Sequence, residues 1–162
     1  MLSQEVQSVL RRQGWSPERK ISIRDWVAQL VGVGATVLPQ AESIWQNFGG
    51  LEITPVKTPN DAFAPQVVRF DPVTEVLSEV ERIEFWQEQL GQKLTPLGVL
   101  YPCEGILLLG ENGQVFLEGG NIIVDCGNSF EDALESTLVF ARRKPVSRKV
   151  DSECLADCQL FK

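Results

Sequence analysis

The 162-residue chain has no histidine, one tyrosine, one methionine and four cysteines. Without imidazole, Ser-His-Asp and Cys-His catalysis are excluded, and so is zinc held by histidine. Long hydrophobic runs are missing too. The greasiest stretch, Trp26 to Pro39, contains Gln29, Gly32 and Gly34 and is too short to span a bilayer. The opening Met1-Leu2-Ser3-Gln4-Glu5 lacks the basic segment and apolar core of a secretory signal, so a cytoplasmic location is expected. Among Cys103, Cys126, Cys154 and Cys158 no two are separated by two residues, so no metal or cofactor is expected and the thiols read as reduced. What is present is 43% hydrophobic and 23% charged, the make-up of a globular protein rather than of a disordered, collagenous or coiled-coil chain. The length fits one domain with a tail.

The charge is unevenly spread. The net value is −7, from 15 basic and 22 acidic residues, but residues 1–141 alone hold 9 basic and 19 acidic side chains. Arg142, Arg143, Lys144, Arg148 and Lys149 then form a basic run. An acidic body repels nucleic acid and attracts basic proteins at raised association rates. The basic run contains no aromatic residue for base stacking and reads as part of a solvated tail over 142–162, with one helical turn at its end.

The spacing of Val6, Val9 and Leu10 predicts a helix over 3–12, ended by Gly14. Ser22-Ile23-Arg24-Asp25 has the form of a capping box, predicting a second helix with Trp26, Leu30 and Val33 as its buried stripe. Pro39 suits the first turn of a third helix, lined by Ile44, Trp45 and Phe48 and stopped by Gly49-Gly50, which lets the chain reverse into Leu51-Glu52-Ile53. Residues 57–65 read as a loop and Gln66 to Phe70 as a strand. Thr74 is the expected cap of a fourth helix running to about Leu90, with Val76, Val80, Ile83 and Leu90 on its apolar face. Glu81, Glu84 and Glu88 lie away from that face. At 3.6 residues per turn Phe85 falls on their side, to be covered by another part of the fold or by a partner.

Leu97–Tyr101, Ile106–Leu109, Gln114–Leu117 and Ile122–Val124 read as strands, the second and third joined by the hairpin signal Asn112-Gly113. Their weak alternation predicts burial on both faces, with helices over one and further chain or a partner over the other. Ser129 caps a last helix, with Asp132 at its third position and Ala133, Leu134, Leu138 and Val139 as its apolar side. The predicted fold is α+β: N-terminal helices, a central antiparallel meander covered by helices, and a C-terminal helix and tail.

No reaction chemistry stands out. Gly32-x-Gly34 lacks the third glycine of a dinucleotide fingerprint and follows no strand, and there is no phosphate-binding Gly-Lys-Ser/Thr. Glu75, Glu79, Glu81, Glu84 and Glu88 on one exposed helix have nothing to raise a carboxyl pKa, so they read as a solvated face. Cys103 and Cys126 have no base beside them and read as core residues.

Gly14-Trp15-Ser16-Pro17-Glu18-Arg19 resembles the opening Gly-Trp-x-Pro-x-Arg of the third subgroup of the SUKH superfamily. Phe48-Gly49-Gly50-Leu51 resembles its helix-ending Phe-Gly-Gly-Leu. Tyr101-Pro102, Gly113 with Phe116, and Ser129-Phe130-Glu131-Asp132-Ala133-Leu134 follow in the family's order, over residues 5–141. The match departs where Cys103 and Glu104 intervene before Gly105, and the tail from 142 has no counterpart. This gives a domain at 1–141 and a tail at 142–162. The resemblance implies a non-enzymatic immunity protein of a bacterial polymorphic toxin system, which binds a cognate nuclease or nucleic-acid deaminase and needs no cofactor, nucleic acid or membrane. It implies structural roles for Gly14, Trp15, Phe48, Gly49, Gly50 and Tyr101. The acidic face of the fourth helix, Glu81, Glu84, Phe85 and Glu88, is the expected contact surface. The rival readings are an adaptor module that binds a cellular protein unrelated to any toxin, and a small thiol enzyme. A toxin gene next door separates the first from immunity, and a fast-alkylating cysteine would mark the second.

Overall fold

The structure, a computed structural model, describes residues 1–56, 67–101, 105–119 and 121–140 and the backbone of 146–149. Ser3 starts the first helix, α1 (Gln4–Arg12), where its hydroxyl accepts the Val6 amide at 3.2 Å. That helix buries Val6, Val9 and Leu10, as their spacing requires. Helix α2 spans Arg24–Gly32 and α3 spans Pro39–Phe48 with proline at its start. The cap of α2 differs from expectation. Ile23, not Ser22, stands at its N-terminus, and no side chain caps it. Val33 is also not part of the buried stripe: it lies just past the last helical residue and is exposed.

Gly49 and Gly50 end α3 for different reasons. Gly50 takes φ +78°, which turns the chain into β1 (Glu52–Ile53). Gly49 is there for space: a Cβ would collide with the Trp45 carbonyl oxygen and lie 2.6 Å from the Trp26 ring and 2.7 Å from Ile21. Gly49→Ala is expected to destabilise the fold by about 1–3 kcal/mol through this overpacking. A lowered urea midpoint with an unchanged slope is the readout.

The remaining strands are β2 (Val67–Arg69), β3 (Leu94–Tyr101), β4 (Gly105–Gly110), β5 (Val115–Gly119), β6 (Ile122–Gly127) and β7 (Val146–Lys149). The seven strands lie in chain order, each antiparallel to its neighbour. Thus residues 146–149, read from sequence as tail, extend the sheet beyond β6. The expected loop over 57–65, Cys103, Cys154, Cys158 and the rest of the tail lie outside the described residues.

Helix α4 (Val80–Leu90) joins β2 to β3 and α5 (Phe130–Ala133) follows β6, continued by a π-helical turn at Leu134–Leu138. In α5 the Ser129 hydroxyl accepts the Asp132 amide at 3.0 Å, and Asp132 reaches back to the Asn128 amide at 3.0 Å. Thr74 does not cap α4. The Asp71 carboxylate accepts the Val73 and Thr74 amides at 2.9 and 3.0 Å, and a 3₁₀ turn at Leu77–Glu79 leads into the helix. Gly91, at φ +63°, closes it.

The sheet is buried on both sides. Leu107 and Leu109 of β4 join Val68, Leu97, Leu100 and Val115 under α1, α2, α3 and α5. Their neighbours Ile106 and Leu108 join Leu94, Val99, Phe116 and Ile123 under α4. This explains the run of apolar residues in β4: successive side chains of a strand point to opposite faces, and here neither face meets water. The second face is covered by α4 of the chain itself. A bulge in β3 between Pro96 and Gly98 shifts the alternation along that strand by one residue, so Leu94 and Val99, five apart, both face α4; it falls at a point where proline has no amide to donate.

Candidate partner-binding surface

Helix α4 is amphipathic, and its sides are set by what lies beneath. Ile83 and Trp86 are buried against the sheet. Trp86 was not among the residues predicted for that face, although Ile83 and Trp86 are three apart, as neighbours on one face must be. Glu81, Glu84 and Glu88 are exposed, and among the described residues no cation pairs with them. Phe85 is half-buried. Its ring meets Trp86 edge-on with centroids 5.2 Å apart, and it packs on the core beneath α4. The fold therefore covers part of the ring, and it does not stand fully outward on the acidic side.

One cation of α4 is used internally. Arg82 donates to Glu118 of β5 at 2.8 Å and to Glu79 at 2.8 Å. The Glu118 side chain is 1% exposed and that of Arg82 18%. Burial raises the Glu118 carboxyl pKa and the Arg82 guanidinium opposes that rise without cancelling it. For Arg82 burial works against the charge, but the hydrogen bond and attraction of Glu118 outweigh it and hold the guanidinium charged. The Trp86 indole N–H helps hold the Glu118 charge without reaching full hydrogen-bond geometry. The pair crosses from helix to sheet and fixes the rotation of α4, and with it the outward direction of its other carboxylates.

The C-terminal end of α4 borders an open groove of about 520 Å³. Glu84 and Glu88 of the helix line it together with Lys93 and with Glu111 of the β4–β5 hairpin. Glu111 donates its amide to the Lys93 carbonyl at 3.0 Å, which fixes the hairpin beside the helix end. The acidity is regional. Described residues from 67 to 119 set Arg69, Arg82 and Lys93 against eight carboxylates, whereas residues 1–56 hold five charges of each sign.

At the other end of α4, Tyr101 donates its hydroxyl to Glu75 and accepts from Arg69 at 2.9 Å. The Arg69 guanidinium sits 4.6 Å from the centre of the Tyr101 ring and is bonded to Glu52 at 2.8 Å. Tyr101 therefore belongs to a polar cluster at the sheet margin. Trp15 is different: it is buried, stacks on Phe48 at 5.7 Å and donates its indole N–H to Asn47 at 2.7 Å. Asn47 in turn donates to the Arg19 carbonyl at 3.0 Å, and Arg19 donates to the Gly49 carbonyl at 2.7 Å. Gly14 turns the chain at φ +96°. The Gly-Trp-x-Pro-x-Arg and Phe-Gly-Gly-Leu segments are thus one interlocked unit, which residue spacing alone did not disclose. Residues 2–139 match the SUKH-3 immunity protein family. The chain belongs to that family. No curated protein and no solved structure matches it.

Membership of an immunity protein family implies the binding of a partner. Cys126 is buried, and burial, reinforced by the Asp125 charge, pushes its thiol up to about 12. At neutral pH it holds its proton and is inert as a nucleophile. Among the described residues no three His, Cys, Asp or Glu side chains come together as metal ligands would, and no helix is long and apolar enough to cross a membrane.

Proposed function

We propose that this SUKH-3 protein neutralises a cognate bacterial toxin, of nuclease or nucleic-acid deaminase type, by stoichiometric binding in the cytoplasm. The observation that carries the reading is the row Glu81, Glu84 and Glu88, exposed on a helix locked to the sheet, with Glu111 lining the same groove as Glu84 and Glu88. An enzyme that acts on nucleic acid needs a basic cleft. A row of carboxylates matches such a cleft as phosphates do, and raises the encounter rate through long-range attraction. The helix that carries the row is already fixed to the sheet, so on binding only the side chains lose rotamer freedom. Half-buried Phe85, on the same helix, belongs to this proposed surface.

The test is co-expression with the toxin domain encoded beside this gene. The expected result is a one-to-one complex, loss of toxicity, and an affinity that falls as salt is raised. A toxin that stays active in excess of this protein overturns the reading. A neighbouring gene that encodes no toxin would favour the adaptor alternative.

A further inference from the structure

We propose that Lys93 selects the partner of the acidic surface: a basic protein docked on the groove must bring a carboxylate to the Lys93 ammonium. The inference rests on the reading of α4 as the toxin contact. Of the three cations in described residues 67–119, Arg69 is bonded to Glu52, and Arg82 to Glu79 and Glu118. Lys93 is exposed and forms no ion pair with a described carboxylate, although Glu84, Glu88 and Glu111 line the groove with it. Its main chain is held from two sides. The Lys93 amide donates to the Glu111 carboxylate at 3.2 Å, and its carbonyl accepts the Glu111 amide at 3.0 Å. The next amide, that of Leu94, donates to the Gln87 side chain of α4 at 3.0 Å. The root of the lysine is thus fixed where helix, strand and hairpin meet, while its charge has no assigned counter-ion.

In the free protein water solvates this ammonium. Docking changes that. Cations of the partner take up Glu84 and Glu88, and the partner's surface displaces water from the groove. An ammonium covered without an anion is costly, and a partner cation set against it adds like-charge repulsion. A partner carboxylate removes both costs and forms a charge-assisted hydrogen bond. Specificity is a difference between affinities, and an element that repels wrong partners adds to it. Lys93 acts in both directions at one position. A uniformly basic surface is attracted by the carboxylates and resisted by the lysine, whereas a basic surface with one acid in the right place is not resisted. The competing physical outcome is that the four-carbon stem carries the ammonium back into water on docking, and binding then ignores residue 93.

Lys93→Glu tests this, because long-range attraction and local pairing predict opposite signs. The substitution makes the net charge two units more negative than −7, so attraction of a basic body alone predicts tighter binding. The proposal predicts that affinity for the toxin domain encoded beside this gene falls by about 10-fold or more, while affinity for poly-L-lysine rises. Lys93→Gln is expected to lose less toxin affinity, and Lys93→Arg to bind the toxin as the native chain does. The melting temperature of each is expected to stay native, since residue 93 is bonded through its main chain. A Lys93→Glu protein that binds the toxin as tightly as the native chain or more tightly would overturn the proposal. So would a parallel loss of toxin and poly-L-lysine binding, which would mark damage to the surface as a whole. The double variant Glu84→Lys with Glu88→Lys separates the two levels. If it weakens toxin binding and Lys93→Glu does not, the acidic surface stands and the selection by Lys93 falls. If neither changes the affinity, both fall.

Discussion

Arg82→Met is expected to destabilise the fold by about 3–5 kcal/mol at pH 8, because it leaves the Glu118 carboxylate buried without its cation. Glu79, the other carboxylate bonded to Arg82, then adds repulsion where it had shared the guanidinium. The loss depends on pH in a defined direction. Burial already raises the Glu118 pKa above its unfolded value, and removing Arg82 raises it further. Between the unfolded and the folded pKa the native state holds the extra proton, so stability falls as pH rises through that window. The variant is therefore expected to be closer to the native protein at pH 5 than at pH 8. Urea unfolding at both values measures it. Adding Glu118→Leu removes the orphaned charge and is expected to recover most of the stability, since an apolar replacement of a buried ion pair is often neutral. An Arg82→Met protein equally destabilised at both pH values, and not rescued by Glu118→Leu, would show that the pair does not hold α4 to the sheet.

This pair also marks where residue patterns stop being informative. The helices were legible because each has a local cause: Val6, Val9 and Leu10 repeat at helical spacing, Pro39 fits a first turn, and Ser129 has a donor three residues on. The strands were legible from apolar runs and the Asn112-Gly113 hairpin. What those runs left open was the identity of the second cover, because packing α4 on the sheet links residues 36 positions apart, such as Arg82 and Glu118. The caps show the same limit. Ser22 and Thr74 have the right chemistry at the right spacing, yet the α2 cap is bare and Asp71 takes the amides ahead of α4. Strand β7 went unseen because its residues carry a charge run, and pairing with β6 overrides that pattern. At the candidate surface the exposure of Glu81, Glu84 and Glu88 followed from periodicity. The groove with Glu111 and Lys93 did not, since the hairpin meets the helix end only in the folded sheet.

Glu84→Lys combined with Glu88→Lys is expected to weaken toxin binding by about 10–100-fold, while stability stays within about 0.5 kcal/mol of the native protein. Both side chains are exposed, among the described residues neither pairs with a cation, and both line the same groove as Glu111. Reversal therefore breaks no contact of the fold and acts through the field the partner meets. Two lysines beside Lys93 would turn this end of the helix from acidic to basic, so a basic cleft that was attracted is repelled. Attraction between separated charges acts mainly during approach, so the association rate is expected to fall more than the dissociation rate rises. Salt separates this from a shape effect. As ionic strength increases the native affinity should fall and the gap between native and variant should close, because both differences come from screened charge. Surface-based binding kinetics with the neighbouring toxin domain at low and high salt provide the measurement. A double variant that binds with native rates at low salt would remove the C-terminal end of α4 from the contact.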